Sequence, residues 1–119
     1  GALLAIGDVH ATMGDGEISI AALEICGEVM ARVELAKGEN LARPWVEFPD
    51  CWISTGDGPV IADAIRVACE EMARLLHKKL GLSIEEAYML LSIRGDVRVS
   101  QCCDPSQVAA TARLVMPKF

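Results

Sequence analysis

Residues 59–86 read PVIADAIRVACEEMARLLHKKLGLSIEE, and the spacing inside this stretch decides the fold class. Ile61, Ala64, Ile65, Ala68, Met72, Leu75 and Leu76 recur at three- and four-residue steps, the period that lines one face of an α-helix with apolar groups. A helix is therefore expected over residues 59–80. Pro59 suits its first turn, where a missing N–H costs nothing, and Asp57 or Gly58 stands ready to cap it. Gly81 supplies the left-handed residue that ends it. A second helix should start at once, because Ser83 and Glu86 have the spacing of a capping box, in which each side chain bonds the other residue's backbone N–H. Its apolar positions are Ile84, Ala87, Met89, Leu90, Leu91 and Ile93, and Gly95 with Asp96 stops it.

On either side of this helical pair the pattern changes to that of strands. Downstream, residues 97–101 alternate, Asp104-Pro105 marks a turn, and residues 109–116 read as a last strand. Upstream, residues 2–6 form a short apolar run, residues 18–35 alternate in part as one long strand or two, with Gly27 as a bend, and residues 45–48 and 51–54 are short strand candidates. Strands, two helices and two more strands make an α+β fold, with the helix pair packed on one face of a mostly antiparallel sheet. Its 119 residues suit one domain, 1–119.

Composition narrows the function. Hydrophobic residues make up 52% of the chain, a rich supply for so small a body, so part of it is expected to face another chain or segment. The net charge of -6 and a longest basic run of only Lys78-Lys79 offer no footing on a phosphate backbone. No apolar run is long enough for a membrane span, and the opening GALLAIGDVH lacks the basic flank of a signal peptide. The chain reads as soluble and cytoplasmic, with no nucleic-acid or membrane partner. Cys26, Cys51, Cys69, Cys102 and Cys103 are odd in number and contain no C-x-x-C pair. They read as buried reduced thiols, and a strand would send Cys102 and Cys103 to opposite faces.

The stretch with chemical content is GDVHATMGDGE, residues 7–17. Asp8 and His10 are two apart at an expected strand end, so both can reach one ion or substrate. A carboxylate and an imidazole are ordinary zinc ligands, and Glu17 is the nearest further donor. Gly14 and Gly16 flank Asp15 in a loop able to turn sharply. The same spacing also fits an Asp that caps a turn and a His satisfied within the core. His77 suits a helix carboxyl end, Asp57, Asp96 and Asp104 suit turns, and Trp45 and Trp52 suit a core or an interface. No cysteine is paired with a base at the spacing of a nucleophile.

GDVHATMGDGE resembles the GD-x-HA-x-x-GDGE pattern of the acetamidase/formamidase family, matching it at Asp8, His10, Ala11, Gly14, Asp15, Gly16 and Glu17. The likeness continues in STGDGPVIADAIRVACEEMARLL, in GLSIEEAYMLLSIRGDVRVSQCCDP and in the closing LVMPK. QCCD departs from the family's Q-x-V-D. Family members are also considerably longer, so the resemblance implies a carboxyl-terminal portion whose partner is the missing amino-terminal part or a companion chain, together with homo-oligomer assembly. It implies hydrolysis of short linear amides such as formamide and acetamide, with a small amide as substrate. A divalent metal, zinc being expected, would sit on Asp8 and His10, with Glu17 as third ligand or general base and Asp15 counted beside it as catalytic. The competing expectation is a non-catalytic oligomerisation module in which the loop is only a turn.

Overall fold

The computed structural model describes residues 3–39, 41–103 and 109–119. Its elements are β1 (His10–Thr12), β2 (Leu23–Glu24), β3 (Trp45–Glu47), β4 (Cys51–Gly58), α1 (Ile61–Leu80), α2 (Ile84–Arg94), β5 (Asp96–Gln101) and β6 (Ala110–Pro117). Four strands form one antiparallel sheet in the order β3-β4-β6-β5, and β1 and β2 form a separate antiparallel pair. Two helices against a mostly antiparallel sheet make the expected α+β arrangement. Among the described residues no helix is long and apolar enough to cross a membrane.

The core lies between α1 and the two central strands. Trp52, Ser54, Gly56 and Gly58 of β4 and Ala112, Leu114 and Met116 of β6 alternate toward it, the period of two that a half-buried sheet requires. From α1 come Ala64, Ala68, Met72, Ala73, Leu75 and Leu76, and from α2 Ala87 and Leu91. Small groups meet at one end of this layer and large ones at the other. Near Gly56 and Gly58 the helix offers Ala64 and Ala68 and comes so close that the Ser54 hydroxyl donates to the Ala68 carbonyl at 2.7 Å. Trp52, Met72, Leu76, Leu114 and Met116 fill the wider end.

This close approach corrects the reading of Asp57 and Gly58 as a cap. The strand runs on through Gly58, the N-cap is Val60 with no side-chain bond, and Pro59 precedes the first turn. The glycines serve helix contact, while Asp57 points away from the core and pairs with Arg43. The other helix signals hold. Gly81 is left-handed at φ 71° and donates to the His77 carbonyl, the His77 ring bonds the Leu82 carbonyl at 2.5 Å, and both halves of the Ser83–Glu86 capping box are present. Ser83→Ala should lower stability by about 1 kcal/mol in denaturant unfolding.

Glu47 ties the sheet to its surroundings. It accepts from Lys118 Nζ at 2.8 Å, Trp52 Nε1 at 3.1 Å and Lys79 Nζ at 3.3 Å. The Lys118 hydrogen bond, then those of Trp52 and Lys79, holds its carboxyl down from 4.5 to about 2. A depressed carboxyl stabilises the fold above its unfolded value and ceases to do so as pH falls through the folded one. The melting-temperature gap between wild type and Glu47→Gln should therefore be widest at neutral pH, narrow below 4.5 and close near 2.

Among the described residues one expected strand does not form and another is cut to two residues. Residues 3–6 are unpaired, and of residues 18–35 only Leu23 and Glu24 join a ladder. Isolated extended chain gains nothing without a neighbour for its backbone groups, and here none lies beside most of this stretch. Leu3, Ile18, Met30, Val33 and Leu35 are consequently exposed, Met30 completely. The cysteines are free, as expected, but not buried: Cys51 and Cys69 are partly covered and Cys26, Cys102 and Cys103 are exposed. The turn expected at Asp104-Pro105 lies outside the described residues.

Candidate metal centre and active-site loop

The site begins with the small β1–β2 pair. His10 and Glu24 are direct partners in its register, a position that brings opposing side chains within reach of one another. Ile25 N–H donates to the Val9 carbonyl at 3.0 Å and prolongs the pairing. Asp8 adopts φ 57°, a left-handed backbone that Asp tolerates better than most residues. Its Oδ1 lies 3.0 Å from His10 Nε2, and Glu24 Oε2 lies 3.0 Å from the same nitrogen. The His10 side chain is 14% exposed, against 82% for Asp8 and 55% for Glu24.

One nitrogen between two carboxylates is an electrostatically unfinished arrangement. A neutral imidazole protonated at Nε2 has a single hydrogen for both oxygens. A cation satisfies all three donors together. The donor atoms of Asp8, His10 and Glu24 lie within 4.8 Å of one another, and zinc bonds of 2.0–2.1 Å imply tetrahedral edges of about 3.3 Å. Imidazole plus carboxylate is the donor set that zinc and similar ions accept. The cluster thus fits a divalent metal in both spacing and chemistry.

Glu17 enters from a different element. The loop turns through Gly16 at φ 89°, Glu17 at φ 44° and Ile20 at φ 58°, with Glu17 N–H bonded to the Gly14 carbonyl at 3.1 Å and Ile20 N–H to the Glu17 carbonyl at 2.9 Å. Gly16 fastens it to the open edge of β5: its N–H donates to the Val99 carbonyl at 3.2 Å and its carbonyl accepts from Cys102 N–H at 3.3 Å. Between these anchors the β5–β6 register shifts, as a bulge does when it re-aims a strand. The shift lets Gln101 Nε2 donate to the buried Glu17 carboxylate. Asp15 pairs with Arg113 at 2.5 Å, and the same guanidinium donates to the Val99 carbonyl at 3.2 Å and the Ser100 hydroxyl at 3.1 Å.

Asp8, His10 and Glu17 face one open depression of about 350 Å³, with Gly7, Met13, Ser100, Gln101 and Thr111 completing its wall. Asp8 and His10 do converge, through the left-handed backbone at Asp8 and not as two positions of an extended strand end. Glu17 shares the depression, while Glu24, which sequence reasoning passed over, stands in the tight cluster. Only the cross-strand partnership with His10 reveals it. Gln101 and Arg113 were likewise invisible before β5 and β6 were known to lie beneath the loop.

Comparison with known proteins places the chain. Among solved structures, an acetamidase from Bacillus halodurans superposes with a TM-score of 0.86 at 40% identity, over 98% of this chain and 39% of its own. A predicted acetamidase/formamidase from the thermophile Thermoanaerobacter tengcongensis gives 0.80 at 35% identity, over 91% and 35%. An acetamidase from Yersinia enterocolitica gives 0.85 at 33% identity, over 93% and 33%. The chain therefore spans between a third and two-fifths of the length of these relatives. No curated protein matches it. The family model of the acetamidases and formamidases matches residues 1–119 throughout, and the chain belongs to the acetamidase/formamidase family.

Proposed function

We propose that this chain carries the metal-holding part of an active site that hydrolyses short linear amides, such as formamide and acetamide, to the carboxylate and ammonia. The observation that carries the reading is the convergence of Asp8 and Glu24 on His10 Nε2 beside the depression that Glu17 lines. Family membership supports the reaction class. A depression of about 350 Å³ is at the small end of ligand sites and suits a compact amide.

Asp8, His10 and Glu24 would hold the divalent ion, with zinc the first choice for this donor set. When bound, such an ion lowers the pKa of water and polarises a carbonyl oxygen. Glu17 is the group for proton transfer: its carboxylate can take a proton from the attacking water and return it to the departing nitrogen. Gln101 orients that carboxylate. Asp15 acts through Arg113, holding the loop over β5.

Exposed apolar residues along 3–35 support burial against the rest of a longer protein or a companion chain, and assembly of more than one copy. Five free cysteines support a cytoplasmic, reducing location. Ammonia release from a panel of small amides tests the proposal, with the chain alone and joined to the remaining length its relatives possess. Glu17→Gln should lower the rate by about 10²–10⁴ without loss of fold. Absence of ammonia release from both forms would favour a non-catalytic assembly module instead.

A further inference from the structure

Strand β5 ends at Gln101, so the alternation that would separate the next two side chains lapses there. The Cys102 and Cys103 sulfurs turn to the same side and lie 3.3 Å apart, both on exposed residues. The Cys102 sulfur also rests against Gly16, 3.4 Å from where a Cβ would stand. Its backbone N–H holds the Gly16 carbonyl at 3.3 Å. An exposed thiol pair is therefore in direct contact with the loop that carries Glu17.

We propose that Cys102 and Cys103 form a dithiol site that reacts with small-molecule disulfides to give a bond between the neighbouring sulfurs, and that closing this bond loosens the loop at Gly16. Cys103 attacks one sulfur of the incoming disulfide as a thiolate, forming a mixed disulfide and expelling the first small thiol. Cys102 then loses its proton, attacks the Cys103 sulfur and expels the second. Two protein thiols are oxidised, one disulfide is reduced to two thiols, and the protons leave on those thiols. The hydrogen bond to Cys103, with burial, holds the Cys102 thiol above its ordinary pKa, which suits the resolving role.

Neighbouring Cα atoms are about 3.8 Å apart, short of the usual 4.4–6.8 Å window for a disulfide. The ring closes only by rotation about the Cys102 and Cys103 backbones. That rotation would draw the Cys102 sulfur off Gly16 and tilt the peptide whose N–H, at Cys102, holds the Gly16 carbonyl. A bond so strained is readily reduced, which makes the modification reversible.

The test treats the whole chain with oxidised glutathione and follows it by intact mass, peptide mapping and hydrogen exchange, none of which depends on metal or amide. The expected product has lost two hydrogens within the Cys102–Cys103 peptide and regains them with dithiothreitol. The Gly16 amide should exchange at least about tenfold faster in that product: its own bond to the Val99 carbonyl opens more readily once the adjoining Cys102–Gly16 bond, worth about 1.4 kcal/mol, is lost. Cys103→Ser should show neither change. Glutathione adducts without an internal bond, no reaction at this pair, or an internal bond that leaves Gly16 exchange unaltered would each overturn the proposal.

Discussion

Replacing His10 by alanine is expected to abolish zinc binding by this chain while leaving its fold intact. The imidazole nitrogen is the point on which both carboxylates converge, 3.0 Å from Asp8 Oδ1 and 3.0 Å from Glu24 Oε2. Without it two acidic groups remain that repel each other and offer no nitrogen donor. Loss of a group that merely orients a ligand costs 10–100-fold in metal affinity, so loss of the shared ligand should cost about 100-fold or more. Calorimetric titration with zinc measures this. Stability without metal should hardly change, because His10 belongs to the small β1–β2 pair and the core lies between α1 and the other sheet. Glu24→Gln separates the metal reading from a plain hydrogen-bonded triad: it keeps an oxygen and adds a donor for its neighbours, yet removes a charge that a cation needs. Unchanged zinc affinity in either variant would count against the cluster as a metal centre.

Gly56→Ala should be among the most damaging single substitutions in the chain. A Cβ at that position would stand 2.2 Å from the Ala64 carbonyl oxygen and 2.5 Å from the Ala68 nitrogen. Both are backbone atoms of α1, so no side chain can rotate away and the whole helix must retreat from β4. Overpacking that moves backbone costs about 1–3 kcal/mol, occasionally more, and this contact belongs at the upper end because it also breaks the Ser54 hydroxyl bond to Ala68. Gly14→Ala is the control, since nothing lies within 4 Å of the added carbon. Denaturant midpoints should separate the two variants clearly; equal midpoints would mean that helix and sheet do not meet closely at Gly56.

The same position explains what could and could not be read from the chain. Helix α1 was legible because its stripe repeats from Ile61 to Leu76, about four turns, and α2 because Ser83 and Glu86 act across three residues. Signals of that range need no knowledge of tertiary structure. Asp57 and Gly58 read as a cap because glycine serves both turns and close approach, and only the contact of Gly58 with the Ala64 backbone distinguishes the two. Residues 18–35 alternate in part, yet alternation describes a surface and supplies no partner strand. At the site, Asp8 and His10 were visible through local spacing and a family motif. Glu24 was not, because it meets His10 only through the β1–β2 register, and Gln101 meets Glu17 only where the end of β5 passes under the loop.

Crystals grown with one equivalent of zinc, measured on both sides of the zinc absorption edge, would test the metal centre most directly. A single anomalous peak bracketed by His10 Nε2, Asp8 Oδ1 and Glu24 Oε2, and absent from His10→Ala crystals, is the expected result. A peak elsewhere, or no peak while His10 still bonds both carboxylates, would contradict it.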